Sequence, residues 1–259
     1  GASVMIDEGV LRRRVGHEAP ESIFGQHVMP ELPAGQIGVR SGSYMASADE
    51  IHVTVKGEGG HGASPHELRA DAVVVASQIV VALQNVISRA CPPGVPSVLT
   101  IGKLEANGST NVIPATARLE GTFRAMDESW RPRAHELIRR TVRHTAEAHG
   151  AECEIDIPVG YPALHNDAER SALVREAARE YVGADRTVEV DRWYASEDFA
   201  FYLQEIPGVF YRLGVGNEEL GIDQPVHTSR FDVDERALET GAGFMAYLAW
   251  RYAQAHTES

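Results

Sequence analysis

The sequence of 259 residues contains no uninterrupted apolar run of the roughly 20 residues that a membrane-spanning helix needs. Its most apolar stretch, residues 70–87, is interrupted by the polar side chains of Ser77, Gln78, Gln84 and Asn85. Aromatic residues make up only 7% of the chain, but 43% of it is hydrophobic and 24% is charged, which is typical of a globular protein. The sequence therefore predicts a protein that has a real core and is not embedded in a membrane.

Positive charge is also scarce. Lys and Arg number 24 and Asp and Glu number 37, which gives a net charge of −13. Nucleic acids and anionic membranes are bound by clustered cationic side chains, so this balance argues against both as general partners. Small molecules or proteins are the expected partners.

The chain has only two cysteines, Cys91 and Cys153, and they follow neither a metal-binding nor a redox spacing. We therefore expect reduced thiols rather than a disulfide, which favours a cytoplasmic setting. The first residues include neither an initiator Met nor a secretory signal pattern. We expect the start to have been trimmed, or the chain to be a piece of a longer protein.

Periodic segments in the middle of the chain predict a self-contained unit over residues 46–159. Apolar and polar residues alternate in the strand segments, and the helical segments carry an apolar stripe and end at Pro92 and Gly150. The predicted order is β-α-β-β-α-β, the ferredoxin-like split motif. The four strands are expected at 51–55, 97–104, 111–124 and 153–157, and the two helices at 68–89 and 127–149.

The flanking segments have the character of a different, α/β domain. Residues 168–181 and 235–252 are predicted helices, and residues 209–213 are a predicted buried strand. The simplest fold is a two-domain α/β protein in which one domain, residues 1–45 and 160–259, is interrupted by the inserted unit at 46–159.

Most of the eleven histidines have no ligand-like spacing, and we expect them to be solvated: His17, His52, His135, His144, His149, His165 and His256. His27 is different because it lies in an apolar run, where an imidazole needs a hydrogen-bond partner or a metal. His227 follows a Gly-rich loop, a usual place for a site. His61 lies in the Gly-rich segment 57–66, which could cradle an anion or simply be a flexible hairpin end.

Six short segments, taken together and in order, resemble a known family. They are FGQHVMP at 24–30, GEGGHGASPH at 57–66, NVIP at 111–114, GTFR at 121–124, SEDF at 196–199 and HTSRF at 227–231. They are similar to segments of the dinuclear metal amidohydrolases that cleave N-acyl amino acids, which include hippurate hydrolase, aminoacylases and auxin-conjugate hydrolases and are relatives of the zinc carboxypeptidases. This resemblance implies an α/β catalytic domain, incomplete here at its N-terminus, and an inserted lid domain that also forms a homodimer.

The resemblance implies a role for each matching residue. His27 and His227 would bind metal, and the complete enzyme would hold two divalent ions, with zinc or manganese expected before cobalt or nickel. His61 would reach a partner subunit's active site and stabilise the oxyanion. Asn111 and Arg124 would hold the carboxylate of the substrate, because a guanidinium fork suits a carboxylate. Glu197 and Asp198 belong to a motif that we interpret as structural.

One departure from the family pattern limits what this chain can do. Family members carry a His-Cys-Gly-His-Asp type segment and then a Glu-Glu pair, which supply most metal ligands and the general base, and neither occurs here. We therefore interpret the chain as a carboxyl-terminal portion of an enzyme that hydrolyses the amide bond of small N-acyl amino acids. Two alternatives stay open: a noncatalytic dimerising or ligand-binding fragment, and a dipeptidase or carbamoyl hydrolase with the same fold.

Overall fold

A computed structural model describes residues 1–12 and 18–257. The chain forms two compact units, the first made of residues 1–44, 164–193 and 198–259, and the second of residues 45–163 and 194–197. The second unit extends past the expected limit of residue 159, because the backbone N–H groups of two later residues donate hydrogen bonds to side chains of this unit. Gly160 N donates to the Asp49 carboxylate at 3.1 Å, and Ala163 N donates to the Glu128 carboxylate at 2.7 Å.

Both units contain helices as well as strands, so the predicted α/β class is confirmed. In chain order the elements are α1 (Ala2–Asp7), β1 (Ile23–Pro33), β2 (Ile37–Val39), β3 (Gly42–Met45), β4 (Asp49–Lys56), β5 (Gly60–His61), α2 (Ala72–Asn85), β6 (Ser97–Glu105), β7 (Val112–Ile113), β8 (Thr116–Ala125), α3 (Trp130–Ala148), β9 (Glu152–Asp156), β10 (Leu164–Asn166), α4 (Ala168–Val182), β11 (Thr187–Glu189), α5 (Ala200–Glu205), β12 (Gly208–Gly216) and α6 (Arg236–Thr257).

The first unit is built on a four-stranded sheet in the order β1-β12-β2-β11. Strand β12 is buried along its whole length and pairs in parallel with β1. Successive side chains of a strand point to opposite faces. Val209 and Tyr211 therefore share one face of β12, where they pack into a core with Val174 of α4 and Phe244 of α6. The intervening residues of β12 belong to the other face of the sheet.

The second unit is an antiparallel sheet in the order β6-β8-β4-β9, with α2 and α3 in contact with it and with each other. Apart from the short β5-β7 pair, its elements follow the predicted β-α-β-β-α-β order. The predicted alternation of β8 is also confirmed, since Ala117, Leu119 and Phe123 are fully buried. These residues meet Ile79 and Ile138 of the two helices in one core.

Helix α2 begins later than the sequence suggests, at residue 72 rather than 68, because Asp71 provides the cap. The Asp71 carboxylate accepts hydrogen bonds from Val73 N and Val74 N, which have no partner within the helix.

Helix α2 and the short π-helix that follows it form one helical segment, Ala72–Ala90, that is long and apolar enough to cross a membrane by length and composition alone. Its residues Val75, Ile79 and Leu83 nevertheless lie in the core of the second unit. Cys91 and Cys153 are both free thiols, as predicted.

Candidate functional site

His27 lies on β1 of the first unit and is half-buried. Its Nδ1 atom is 2.7 Å from the carbonyl oxygen of Val28. Its ring makes T-shaped contacts with the rings of Trp193 and Phe210, at centroid distances of 6.3 and 5.9 Å. When Nδ1 donates to that carbonyl, the proton of the neutral ring is on Nδ1 and Nε2 is an acceptor. Metal-binding histidines commonly use this arrangement, so the local geometry of His27 suits a ligand.

His227 lies in a loop of the same unit and is exposed. Its φ angle is +64°, in the left-handed region that residues other than glycine rarely adopt. A residue held in that conformation has a strained backbone, and such strain is concentrated at functional sites. The loop therefore presents His227 in an unusual backbone geometry.

A complete metal centre is not formed by the described residues. No group of three or more His, Cys, Asp or Glu side chains within residues 1–12 and 18–257 is arranged to hold a metal ion. A catalytic zinc usually has three protein ligands and a water, and a pair of metals needs more. The described residues therefore do not complete the two-metal site that the resemblance implies.

This shortage of ligands predicts weak metal binding. After equilibration with excess zinc or manganese and removal of loosely bound ion, the 259-residue chain is expected to keep substantially less than one metal ion per molecule. Metal content by atomic emission is the measurement. Two ions per chain would contradict the expectation and would mean that other residues complete the site.

In the second unit the structure brings His61 and Asn111 together. Residues His61 and Val112 are register partners in the β5-β7 pair, and Gly62 N donates to Asn111 O at 2.8 Å. The exposed His61 ring accepts a hydrogen bond at Nδ1 from Ala63 N at 3.1 Å. A neutral imidazole that accepts at Nδ1 has its proton on Nε2. His61 therefore presents a donor, as an oxyanion-stabilising group must.

Arg124 lies on the polar side of β8 and lines a cavity of about 660 Å³ in the second unit. Its Nη1 donates to the hydroxyl of Thr122 at 2.5 Å, and that hydroxyl donates to the backbone oxygen of Asp49 at 3.0 Å. The volume suits a small molecule. Thr122 thus fixes the direction of the guanidinium, which stands beside a space large enough for an acyl amino acid.

Asn111 and Arg124, expected to hold one carboxylate, are not brought together within one chain. The β5-β7 pair adjoins the Thr116 end of β8, where Gly57 N donates to Ala115 O at 2.8 Å. Arg124 lies near the other end of β8, about 25 Å away at the usual rise of a strand. No side chain spans that distance, so a small substrate at Arg124 is out of reach of His61 and Asn111 of the same chain.

A buried cluster behind this cavity was missed by sequence reasoning. The Asp49 carboxylate accepts from Arg131 Nη2 at 2.5 Å, from Arg131 Nε at 2.9 Å and from His135 Nε2 at 2.8 Å. The expectation that His135 is a solvated helix residue was wrong, because its side chain is only 8% exposed. Burial alone would raise the pKa of Asp49, but the hydrogen bonds from Arg131 and His135 and the charge of Arg131 outweigh it and lower that pKa to about 2.

The expectation of solvation holds for three other histidines, since His144, His149 and His165 are exposed, while His52 is half-buried. His17 and the side chain of His256 lie outside the described part of the structure. Asp198 agrees with the structural interpretation of its motif: its carboxylate accepts a hydrogen bond from Ala2 N, in the first turn of α1, at 2.7 Å.

Arg212 is a second residue that sequence reasoning missed. It is the register partner of His27 across the parallel β1-β12 pair, so the two side chains are neighbours on one face of the sheet. Its side chain is buried, although it interrupts the otherwise apolar run of residues 209–215. A charge inside a buried strand was the signal that could have found it.

The chain belongs to a family of metallopeptidases and amidohydrolases: residues 1–251 match the model of peptidase family M20/M25/M40. The probable hydrolase sll0100 of Synechocystis is 37% identical over 98% of this chain and 63% of its own length. The N-acetylcysteine deacetylase of Bacillus subtilis is 35% identical over 96% of this chain and 62% of its own length. The predicted family is confirmed.

Similarity to solved structures agrees with this family assignment. The Bacillus subtilis YXEP protein, a dinuclear metal binding peptidase from the M20 family, matches with a TM-score of 0.77 and 32% identity over 96% of this chain and 60% of its own. This chain thus spans about three fifths of the length of its relatives.

Proposed function

We propose that the complete protein hydrolyses the amide bond of small N-acyl amino acids in a metal-dependent reaction. The observation that carries this proposal is Arg124, a guanidinium held by Thr122 beside a cavity of about 660 Å³. Membership of peptidase family M20/M25/M40 and the similarity to the N-acetylcysteine deacetylase of Bacillus subtilis support it. The described residues do not complete a metal site, so the proposal assigns roles only to side chains that are present.

In this proposal Arg124 binds the carboxylate of the amino acid through its guanidinium fork. His61 donates its Nε2 proton in a hydrogen bond to the developing oxyanion. Asn111, whose backbone pairs next to His61, helps Arg124 to hold the carboxylate. Because one chain separates these groups by about 25 Å, the second set comes from another copy. The resemblance to the amidohydrolases implied this partner role for His61, and the geometry of the second unit supports it.

A homodimer through the inserted unit would supply that copy. Strand β6 is at the edge of its sheet, and an open edge can pair with another strand. The edge strand exposes Val98 and Leu104, and helix α2 exposes Val74 and Val81, the last at 66%. Exposed apolar groups of this kind favour a protein interface. A strictly monomeric sedimentation profile of the complete protein would contradict the proposal.

The substitution Arg124→Ala in the complete protein tests the carboxylate role. We expect KM for N-acetyl amino acids to rise about tenfold or more, because a charge-assisted hydrogen bond to the substrate is lost. Initial rates over a range of substrate concentrations measure it. Arg118→Ala, on the same face of β8 but toward its other end, is the matched control. Unchanged KM and kcat in Arg124→Ala would remove the assigned role.

The alternative of a noncatalytic fragment is favoured by one observation, the lack of a three-ligand cluster in the described residues. It predicts that the 259-residue chain neither keeps metal nor turns over substrate. Acyl specificity, and the choice between acyl amino acids, dipeptides and carbamoyl compounds, depends on the pocket of the complete protein. Its cytoplasmic location stays a prediction.

A further inference from the structure

The cavity beside Arg124 is lined by carboxylates as well as by this guanidinium. Glu50 of β4 and Glu120 of β8 both line it, and so does Asp49. All of these residues belong to the second unit. A substrate whose carboxylate binds Arg124 therefore lies next to groups of the opposite charge.

Two of these three carboxylates already have a cationic partner. Asp49 is paired with the guanidinium of Arg131, and Glu120 is paired with Lys103, whose Nζ lies 2.8 Å from its carboxylate. Glu50 is different. Within residues 1–12 and 18–257 its carboxylate pairs only with His52, at 2.9 Å from Nε2, and an imidazole is cationic only when it is protonated. Glu50 is thus the carboxylate of this cavity that lacks a permanent counter-charge.

Glu50 and Arg124 are neighbours on the polar face of the sheet, yet they do not form an ion pair with each other. Glu50 is the register partner of Thr122 in the β4-β8 pair, and Arg124 lies two residues beyond Thr122. Diagonal neighbours of this kind have Cβ atoms about 7–8 Å apart. The guanidinium donates instead to the Thr122 hydroxyl. One cation and one anion are therefore held apart, and both line the same cavity.

The fold does not depend on the charge of Glu50. Its side chain is 72% exposed, and its backbone N–H group donates to Pro158 O at 3.2 Å, as that of any residue except proline could. Exposed ion pairs such as that with His52 add little to stability. The carboxylate can therefore bind a ligand without a cost to folding.

We propose that Glu50 binds a cationic side chain of the substrate, so that the complete protein prefers N-acyl derivatives of basic amino acids such as lysine and ornithine. Arg124 holds the α-carboxylate, and the side chain starts from the same carbon atom, so it lies near the neighbours of Arg124. The acyl group has to extend to the reaction centre instead. The inference rests on the proposed amide hydrolysis and adds a substrate class to it.

The charges and dimensions of such a substrate fit the two groups. The α-nitrogen of an N-acyl amino acid is an uncharged amide, so the ammonium group of the side chain is the cation that Glu50 can bind. In lysine this group is six bonds from the carboxylate carbon, a span of about 7 Å when the chain is extended. The separation of Glu50 and Arg124 on the sheet is similar. One molecule can therefore contact both residues.

A matched pair of substrates tests the preference. Nα-acetyl-L-lysine and N-acetyl-L-norleucine have the same carbon chain, and only the first has an ammonium group. For the complete protein we expect kcat/KM to be about three- to fivefold higher for the lysine derivative, because an exposed ion pair adds a modest free energy. Initial rates at low substrate concentration measure it. An ionic strength of about 1 M should reduce the preference, since salt screens exposed charges.

Variants tie the preference to Glu50. Glu50→Gln, which removes the charge and keeps the shape, is expected to lower the lysine-to-norleucine ratio about three- to fivefold. Glu50→Lys replaces attraction by repulsion and should lower the ratio further, about tenfold or more. Glu154→Gln is the matched control and should keep the wild-type ratio. Glu154 is exposed on the same face of the sheet, opposite Thr54, and lies outside the cavity.

The outcomes separate this inference from the proposed function. If the wild-type protein hydrolyses both compounds without preferring the lysine derivative, the role of Glu50 is wrong and amide hydrolysis stands. A preference that survives in both Glu50→Gln and Glu50→Lys overturns the inference in the same way. If the wild-type protein hydrolyses neither these two compounds nor other N-acetyl amino acids, the proposed function fails and the inference fails with it.

Discussion

Asp49→Ala is expected to lower the free energy of unfolding by about 3–5 kcal/mol, the usual cost of removing one partner of a buried ion pair. The substitution leaves the guanidinium of Arg131, 5% exposed, without its main counter-charge, and it also removes the acceptor of His135. Urea denaturation followed by circular dichroism measures the change.

The neighbouring Glu50→Ala is the matched control for this prediction. Glu50 is 72% exposed, and its carboxylate lies 2.9 Å from Nε2 of the half-buried His52. Exposed pairs contribute about 0–1 kcal/mol, so the control should unfold close to the wild type. If Asp49→Ala were no more destabilising than Glu50→Ala, the buried cluster would not hold the second unit together.

The same cluster predicts how stability depends on pH. The pKa of Asp49 is about 2 in the folded protein, below its ordinary value of 3.8. A lowered folded-state pKa stabilises the protein above the unfolded pKa, and that contribution is lost as the pH falls toward 2. We therefore expect about 2 kcal/mol of stability to disappear between pH 4 and pH 2. In Asp49→Asn, which does not titrate, this part of the acid dependence should be missing.

Local pattern was enough to predict the longer helices and strands but not their long-range partners. The period of β8 placed Leu119 and Phe123 in the core, because alternation is a property of neighbouring residues. His135 was misassigned because its partner, Asp49, is 86 positions away. Nothing in the helix around His135 shows that a carboxylate will meet it.

In the candidate site, too, the sequence predicted the individual residues but not which of them lie close together. The motifs located His61, Asn111 and Arg124, and the sequence predicted one strand over 111–124. The structure splits that segment into β7 and β8 at Pro114, which has no N–H to donate to a ladder. The break assigns Asn111 to the His61 pair and separates it from Arg124. A one-residue feature therefore changed which groups can act on the same substrate.

Mixed dimers of the complete protein test that separation directly. His61→Ala and Arg124→Ala remove groups that lie about 25 Å apart in one chain. If each active site uses Arg124 of one subunit and His61 of its partner, a mixed dimer contains one intact site. Random mixing of equal amounts then gives about a quarter of the wild-type kcat/KM, since half of the dimers are mixed and half of their sites are intact.

Each variant alone should be far below that level at low substrate concentration, because every one of its sites lacks one group. Mixing must follow dissociation and reassembly, and dimers of the wild type carried through the same steps give the reference activity. Recovery in the mixture requires groups from two chains, since a site built within one chain would be defective in both variants. If the mixture has only the average activity of the two variants, His61 and Arg124 act within one chain or not on the same substrate, and the cross-subunit assignment is wrong.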